Sequence, residues 1–400
     1  MTTIYAKDKQ ILRETAARQA DLAFAPDNQT LERLWIKHNA CRGNRPVIHV
    51  DWRAAAEAII TPMLRCENSE ARKIEYALYM NFIGREVFLD DSVVPPYMPI
   101  KANTWFAPFG RDVQPAASLD DALPLLTDVL DKPAKATYGA DMQKTQAQME
   151  MYSSLLGDIL PARLTGECLC VSPLGCIADI TGAQGIPALI KAYPKLFHEV
   201  MDRLTSDCLE YFRFRETRGL ILPTTRGENV CDGTFAFTSE LPGPDVSSRR
   251  PLTPRDVWGF LSVAEAYGIA PDMYREFIFP YYRRIAEVYG MLSYGGDEPV
   301  DAVWDEGVCD LPNLRKVSIA PQCDEYDMAD RLRGTRIIYY RKLPPEALSD
   351  EDALRLSIRQ TMTIARGCAI EFKPRCTPDM QGDFIRAQAY VDIIRACCEG

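Results

Sequence analysis

The chain has 400 residues, 47% hydrophobic and 26% charged, enough apolar material for one large core or two ordinary ones. Acids outnumber bases 56 to 46, a formal charge of -10, which argues against nonspecific nucleic-acid binding because that needs a basic face. Thirteen scattered cysteines, odd in number and without a CxxC pair, argue against a disulfide framework or zinc ribbon, and only three histidines (His38, His49, His198) leave any metal site to Cys, Asp or Glu.

The cysteine content suits an anaerobic bacterium. Residues Met1 to Asp8 contain no apolar signal core, and no apolar run is long enough to span a bilayer. A cytoplasmic protein is expected, with neither membrane nor nucleic acid among its partners.

Residues 7–42 predict amphipathic helix, with Leu12, Leu22, Leu31, Leu34 and Trp35 marking the apolar faces. Residues 1–44 are therefore expected to form a helical extension ahead of a domain spanning 45–400. Strand-like runs then alternate with helical periods. The candidate strands are Val47–Asp51, Thr104–Ala107, Cys168–Val171, Gly219–Leu222, Met291–Tyr294, Lys316–Ile319, Arg336–Tyr340 and Cys368–Phe372. Eight strands with helices between them predict the α/β class and a (β/α)8 TIM barrel. An open doubly wound sheet is the alternative, although no GxGxxG follows any strand. The long Gly/Pro/Ser/Thr-rich segment 223–256 follows a strand, where such folds place substrate contacts.

The most informative stretch is Tyr294-Gly295-Gly296-Asp297-Glu298-Pro299-Val300-Asp301. An apolar strand runs into two glycines and then three carboxylates, which places acidic side chains at the carboxyl end of a strand, where barrels do chemistry. The glycines allow a ligand or metal to approach the backbone.

Ser262 to Ile285 (SVAEAYGIAPDMYREFIFPYYRRI) resembles the helix pair SP-x-x-F-x-EF-x-x-PY-x-x-x-I of the uroporphyrinogen decarboxylase superfamily. Tyr294-Gly295-Gly296 stands where that superfamily has H-x-CG. Pro312 to Asp324 (PNLRKVSIAPQCD) is similar to the LPNLRKVSISPW run of a subgroup that reads YGCCEP before it. The resemblance is good over residues 200–395 and loose before them. It implies a TIM barrel and either porphyrinogen decarboxylation or corrinoid-dependent methyl transfer. Arg45-Pro46-Val47-Ile48-His49-Val50-Asp51-Trp52 stands in place of the decarboxylase run near the first strand, which favours the methyltransferase branch. The expected partners are then a corrinoid protein and a small methylated substrate such as a methoxylated aromatic, with a homodimer left open. Relatives hold zinc through a His and a Cys two apart plus a later Cys. Here Gly296 and Asp297 replace the subgroup's cysteine pair, and Cys376 stands for the later one. Zinc held by Glu298 and Cys376 is the metal reading that the resemblance leaves.

Loss of a methyl group from an aryl ether requires the leaving oxygen to be protonated or bound to a Lewis acid. Glu298 and Asp297 are candidates for that activation, against the plainer reading of a solvated, helix-capping loop. Cys376 beside Arg375 is a candidate soft-metal ligand, or a packed thiol. His49 and Asp51, two apart on a strand, share a face and predict a His–carboxylate pair at the mouth, against a histidine satisfied in the core. Candidate substrate contacts are Tyr294, Trp105 (with Phe106 and Phe109 bordering Arg111), Asp232 in the loop 226–234, and Arg341 for an anionic group, with an ion pair as its competitor. Cys168 and Cys170 read as core filling. A porphyrinogen-type decarboxylase and a non-catalytic barrel that binds a tetrapyrrole or small ligand are the alternative functions.

Overall fold

A computed structural model describes residues 4–399 except 111–113, 132–135, 225–229, 231–232, 243–250, 345–349 and 376–383. Eleven strands are described: β1 (Val47–Ile48), β2 (Met98–Lys101), β3 (Thr104–Ala107), β4 (Thr137–Ala140), β5 (Ala162–Thr165), β6 (Leu169–Cys170), β7 (Trp258–Leu261), β8 (Met291–Tyr294), β9 (Leu314–Ile319), β10 (Ile338–Lys342) and β11 (Ala369–Lys373). Seven of them form one sheet in the order β1-β11-β10-β9-β8-β7-β6, parallel at every step. The fold is thus α/β with a parallel central sheet. No described helix is long and apolar enough to cross a membrane.

Helices make the crossovers that parallel strands require. Pro271–Phe277 and Phe279–Ala286 lead from β7 to β8, Glu325–Leu332 from β9 to β10, and Glu351–Ile364 from β10 to β11. The last two start at Asp324 and Asp350, whose carboxylates accept from backbone N–H groups of the first turn.

Two expectations about strands fail. Gly219–Leu222 forms no strand, and Trp258–Leu261 takes a place in the sheet that was not foreseen. Thr104–Ala107 is a strand, but it pairs antiparallel with β4 in a separate two-stranded sheet rather than joining the main one.

Strand parity decides what the sheet presents on each face. Ile48, Leu292, Tyr294, Val317, Ile319, Tyr339 and Phe372 point toward the helices and belong to the main apolar core. The opposite face carries His49, Lys316, Ser318, Tyr340, Lys342, Glu371 and Lys373, as the register pairs Val47 with Glu371, Tyr340 with Glu371 and Ser318, and Lys342 with Lys373. That polar face is covered by residues 233–241 and by the helix Pro26–Asn39. Phe235 packs on Trp35 and His49, each at a ring distance of 5.2 Å. Asn39 Nδ2 donates to the carbonyls of Phe235 and Phe237, and Trp258 Nε1 donates to that of Ala236.

The amino-terminal helices are Ala6–Phe24 and Pro26–Asn39, the second opened by a proline at its first turn. The second does more than wrap the surface. Its His38 bonds to Glu371 in the sheet interior at 3.2 Å, and Trp35 Nε1 donates to the Asp91 carbonyl.

Candidate functional site

The carboxyl ends of β1, β6 and β11, with those of β2 and β5, border a cavity of about 600 Å³, within the size range of small-molecule sites. His49, Asp51 and Arg53 line it after β1, Cys168 and Cys170 at β6, and Lys373 on β11. Among its described lining residues, Arg53, Lys101, Arg215 and Lys373 stand against Asp51 and Glu167. Arg215 pairs with Glu167 at 3.1 Å and Lys373 with Asp51 at 3.2 Å. Burial alone would raise the Asp51 carboxyl, but Lys373 and Arg375 outweigh it and hold the group below its ordinary value.

His49 and Asp51 do share the polar face, but they do not pair with each other. The His49 ring lies between two acceptors: Nε2 meets the Gly233 carbonyl, and Nδ1 is 3.3 Å from Asp90 Oδ2. Asp90 also accepts from the backbone N–H groups of Val50 and Ser92. His49 is therefore a tie between β1, the Asp90 turn and residue 233. Burial pushes its pKa below the ordinary value against the pull of Asp90.

The acidic segment after β8 turns back on its own chain. Gly295 takes a φ of 97°, which disfavours any side chain, and a Cβ there would stand 3.0 Å from the Ser318 Cβ. What approaches these glycines is this chain's own side chains: Ser318 Oγ and Lys342 Nζ both donate to the Gly296 carbonyl. Glu298 is buried. Its Oε1 accepts from the Val263 N–H at 2.8 Å and its Oε2 from the Gly296 N–H at 2.7 Å. Burial raises its pKa in spite of those bonds. With both oxygens engaged, Glu298 braces the ends of β7 and β8 and lines none of the three described cavities.

Asp297 does face a cavity. This smaller space, about 120 Å³, adjoins the first through the shared Asp51 and Lys373, and Lys342 and Arg375 also line it. Arg375 donates to both Asp297 oxygens at 2.8 Å, and Lys342 lies 3.4 Å from one of them. Burial would raise Asp297, but the two cations hold it below its ordinary value.

Two candidate contacts lie on the other side of the sheet. Tyr294 is fully buried among the helices, its hydroxyl 3.0 Å from that of Tyr274. Arg341 donates to Glu325 at 2.7 Å and to the Ala320 carbonyl at 3.1 Å, an internal ion pair behind the sheet. The cation of β10 that reaches the site is the next residue, Lys342, because alternate residues change faces. Trp105 and Phe106 line a third cavity of about 570 Å³ beside the first, together with Glu265 and Cys170, whereas Phe109 is core. Asp232, Cys376, Arg111 and residues 226–229 lie outside the described residues.

Cys376, one half of the zinc reading, lies outside the described residues. No three His, Cys, Asp or Glu side chains among them converge on a point, and Asp297 and Glu298 already serve cations and backbone donors. No protein-family model matches the chain, and no curated protein matches it.

Parity in the polar strands signals that Lys342, Lys373 and Lys316 share the polar face of the sheet. Asp90 carries no such sequence signal, because His49 and Val50, which it ties to the sheet, are 40 or more residues away.

Proposed function

We propose that this chain is a methyltransferase of the uroporphyrinogen decarboxylase-like kind, a closed (β/α)8 barrel that moves a methyl group from a small methylated substrate to the cobalt of a separate corrinoid protein. The observation that carries this reading is the cavity of about 600 Å³ at the carboxyl ends of parallel strands, with the Lys373 ammonium in its wall. The barrel is supported by a strand order that runs from β6 to β11 without a skip and returns to β1. The methyl-transfer chemistry is supported by the motifs over residues 262–324.

The corrinoid would supply the nucleophile, and this chain the substrate's position and the activation of its leaving atom. When the methyl carbon departs without its bonding electrons, the pair stays on the substrate oxygen. Lys373, with Asp51 as its counter-ion, is the described donor in the cavity wall suited to hydrogen-bond that oxygen and give it a proton. Asp297 and Glu298 have lesser parts: one orients Arg375, the other fixes the loop.

The test mixes purified protein with the Co(I) corrinoid protein and a panel of methoxyarenes and other methylated compounds. A methyl-Co(III) spectrum is expected, with the rate lowered about 100-fold or more in Lys373→Met. No methyl-cobalt with any compound would sink the proposal.

The cation excess among the described lining residues also suits a polycarboxylate, so porphyrinogen decarboxylation is the second reading. Carbon dioxide release from uroporphyrinogen, without methyl-cobalt formation, would favour it.

A further inference from the structure

We infer that the smaller cavity is a carboxylate subsite, and that the substrate is a small methylated monocarboxylate whose methyl-bearing end lies in the larger cavity. The inference rests on the reading of that larger cavity as the substrate site.

The geometry begins with three adjacent strand ends. Lys342 ends β10, Lys373 ends β11, and Arg375 follows two residues later on the same face. Asp51 pairs beside Arg375 at the end of β1. These four side chains and Asp297 wall a space of about 120 Å³. That is room for roughly four waters, too little for a ring-bearing substrate and ample for a carboxylate. Lys342 and Lys373 are buried, so their side chains are fixed rather than sweeping through solvent.

Charge selects the kind of anion. The described wall holds three cations and two carboxylates on a chain whose formal charge is -10. A local positive site in an acidic protein attracts an anion to one place. One more carboxylate brings the described wall to neutrality. A tetrahedral dianion would overshoot, against Asp51 and Asp297 a few ångströms away. The Arg375 guanidinium and the two ammoniums provide charge-assisted donors, the strong class for carboxylates.

Lys373 and Asp51 line both spaces, so an anchored carboxylate sets the distance from the anchor to the methyl group. A neutral analogue would lose both affinity and register.

The experiment is calorimetric titration of the full chain, without corrinoid, with acetate, benzoate, 4-methoxybenzoate, 4-methoxybenzamide and inorganic phosphate. The carboxylates are expected to bind, and benzoate to displace 4-methoxybenzoate. The amide should bind about ten- to hundredfold more weakly. Lys342→Met and Arg375→Gln should weaken carboxylate binding by a similar factor, with Arg375→Lys partly restoring it. Arg375 is only half-buried, so its variants keep the test open if Lys342→Met does not fold. No binding by any carboxylate, equal binding of the amide, unchanged binding in folded variants, or phosphate competing as well as benzoate would each overturn the subsite. Carboxylate binding without methyl-cobalt formation would sink the methyl-transfer reading and leave the subsite standing. Equal turnover of neutral and carboxylated methoxyarenes would do the reverse.

Discussion

Lys316 on β9 and Glu371 on β11 meet at 2.8 Å across the face of the intervening β10, and neither side chain exposes any surface. Thr234 donates to the Oε1 of the same carboxylate and accepts from the same ammonium, while His38 Nε2 meets Oε2, the oxygen that Lys316 also bonds. The rings of Trp35 and Trp258 lie 5.3 and 5.8 Å from the ammonium. A helix, two strands and the 233–241 segment therefore share one buried polar knot beneath the cavity.

Removing one partner of that knot leaves a buried charge. Lys316→Met should cost about 3 to 5 kcal/mol, as should Glu371→Leu. The double variant should lose much less than the sum, because no unpaired charge remains. Urea unfolding of the three variants measures this. Additive losses would mean that the two residues do not act as a pair.

Acid should undo the knot in two stages. Burial holds His38 below its ordinary 6.5, so the fold favours the neutral ring. The unfolded chain then binds the extra proton, and stability falls as pH drops through about 6.5 and below. Burial would raise Glu371, but Lys316 and His38 hold its carboxyl below the ordinary 4.5. Its contribution is complete above 4.5 and is lost as pH falls from there through the folded value. The urea midpoint should thus decline in two steps between pH 8 and 3. His38→Gln should shrink the upper step, to which the buried His49 also contributes, and keep most of the lower one, which Lys316 still supports. A midpoint that rises on acidification would contradict both assignments.

The residues that made strands legible also hid part of the site. Met291–Tyr294 is apolar except for Ser293 and folds into the expected strand. Gly219–Leu222 is as apolar, and Leu220 and Ile221 are buried, yet they form no strand: an apolar run announces burial, not conformation. Trp258–Leu261 was missed because it holds a glycine and follows a long Pro- and Gly-rich segment. That glycine is there because a Cβ would fall 2.0 Å from the Tyr289 ring. Six of the eight expected strands lie in the main sheet, Thr104–Ala107 pairs outside it, and only Gly219–Leu222 is not a strand, while the parallel α/β class came out right.

At the site, spacing showed that His49 and Asp51 share a face, but not whom each would meet. Their partners Asp90 and Lys373 come from elsewhere in the chain. Arg341 and Lys342 differ by one residue and face opposite ways. The alternation in Tyr339-Tyr340-Arg341-Lys342 could have separated them had the polar face of the sheet been recognised.

Glu298 offers a sharp distinction between an acid catalyst and a brace. Glu298→Gln keeps the shape but only one acceptor oxygen, so one of the two backbone donors, Val263 or Gly296, faces an amide N–H. The expected cost is about 1 to 3 kcal/mol, seen in thermal or urea unfolding. The pH profile of turnover by the folded fraction should keep its shape. A lost acidic limb with unchanged stability would return Glu298 to the chemistry.

His49 ties the segment after residue 230 to the sheet, and its replacement should loosen that segment first. His49→Phe keeps a ring against Phe235 but removes the donor to the Gly233 carbonyl. A buried carbonyl left without its partner costs about 1 to 3 kcal/mol. The loss should be local, because Asp90 still accepts from Val50 and Ser92. Hydrogen exchange reads it directly. The amides of Val230 and Gly233, which donate to the Thr234 and Val230 carbonyls, should exchange faster, while those of β9 and β10 stay protected. Equal acceleration across the sheet would show instead that His49 supports the core as a whole.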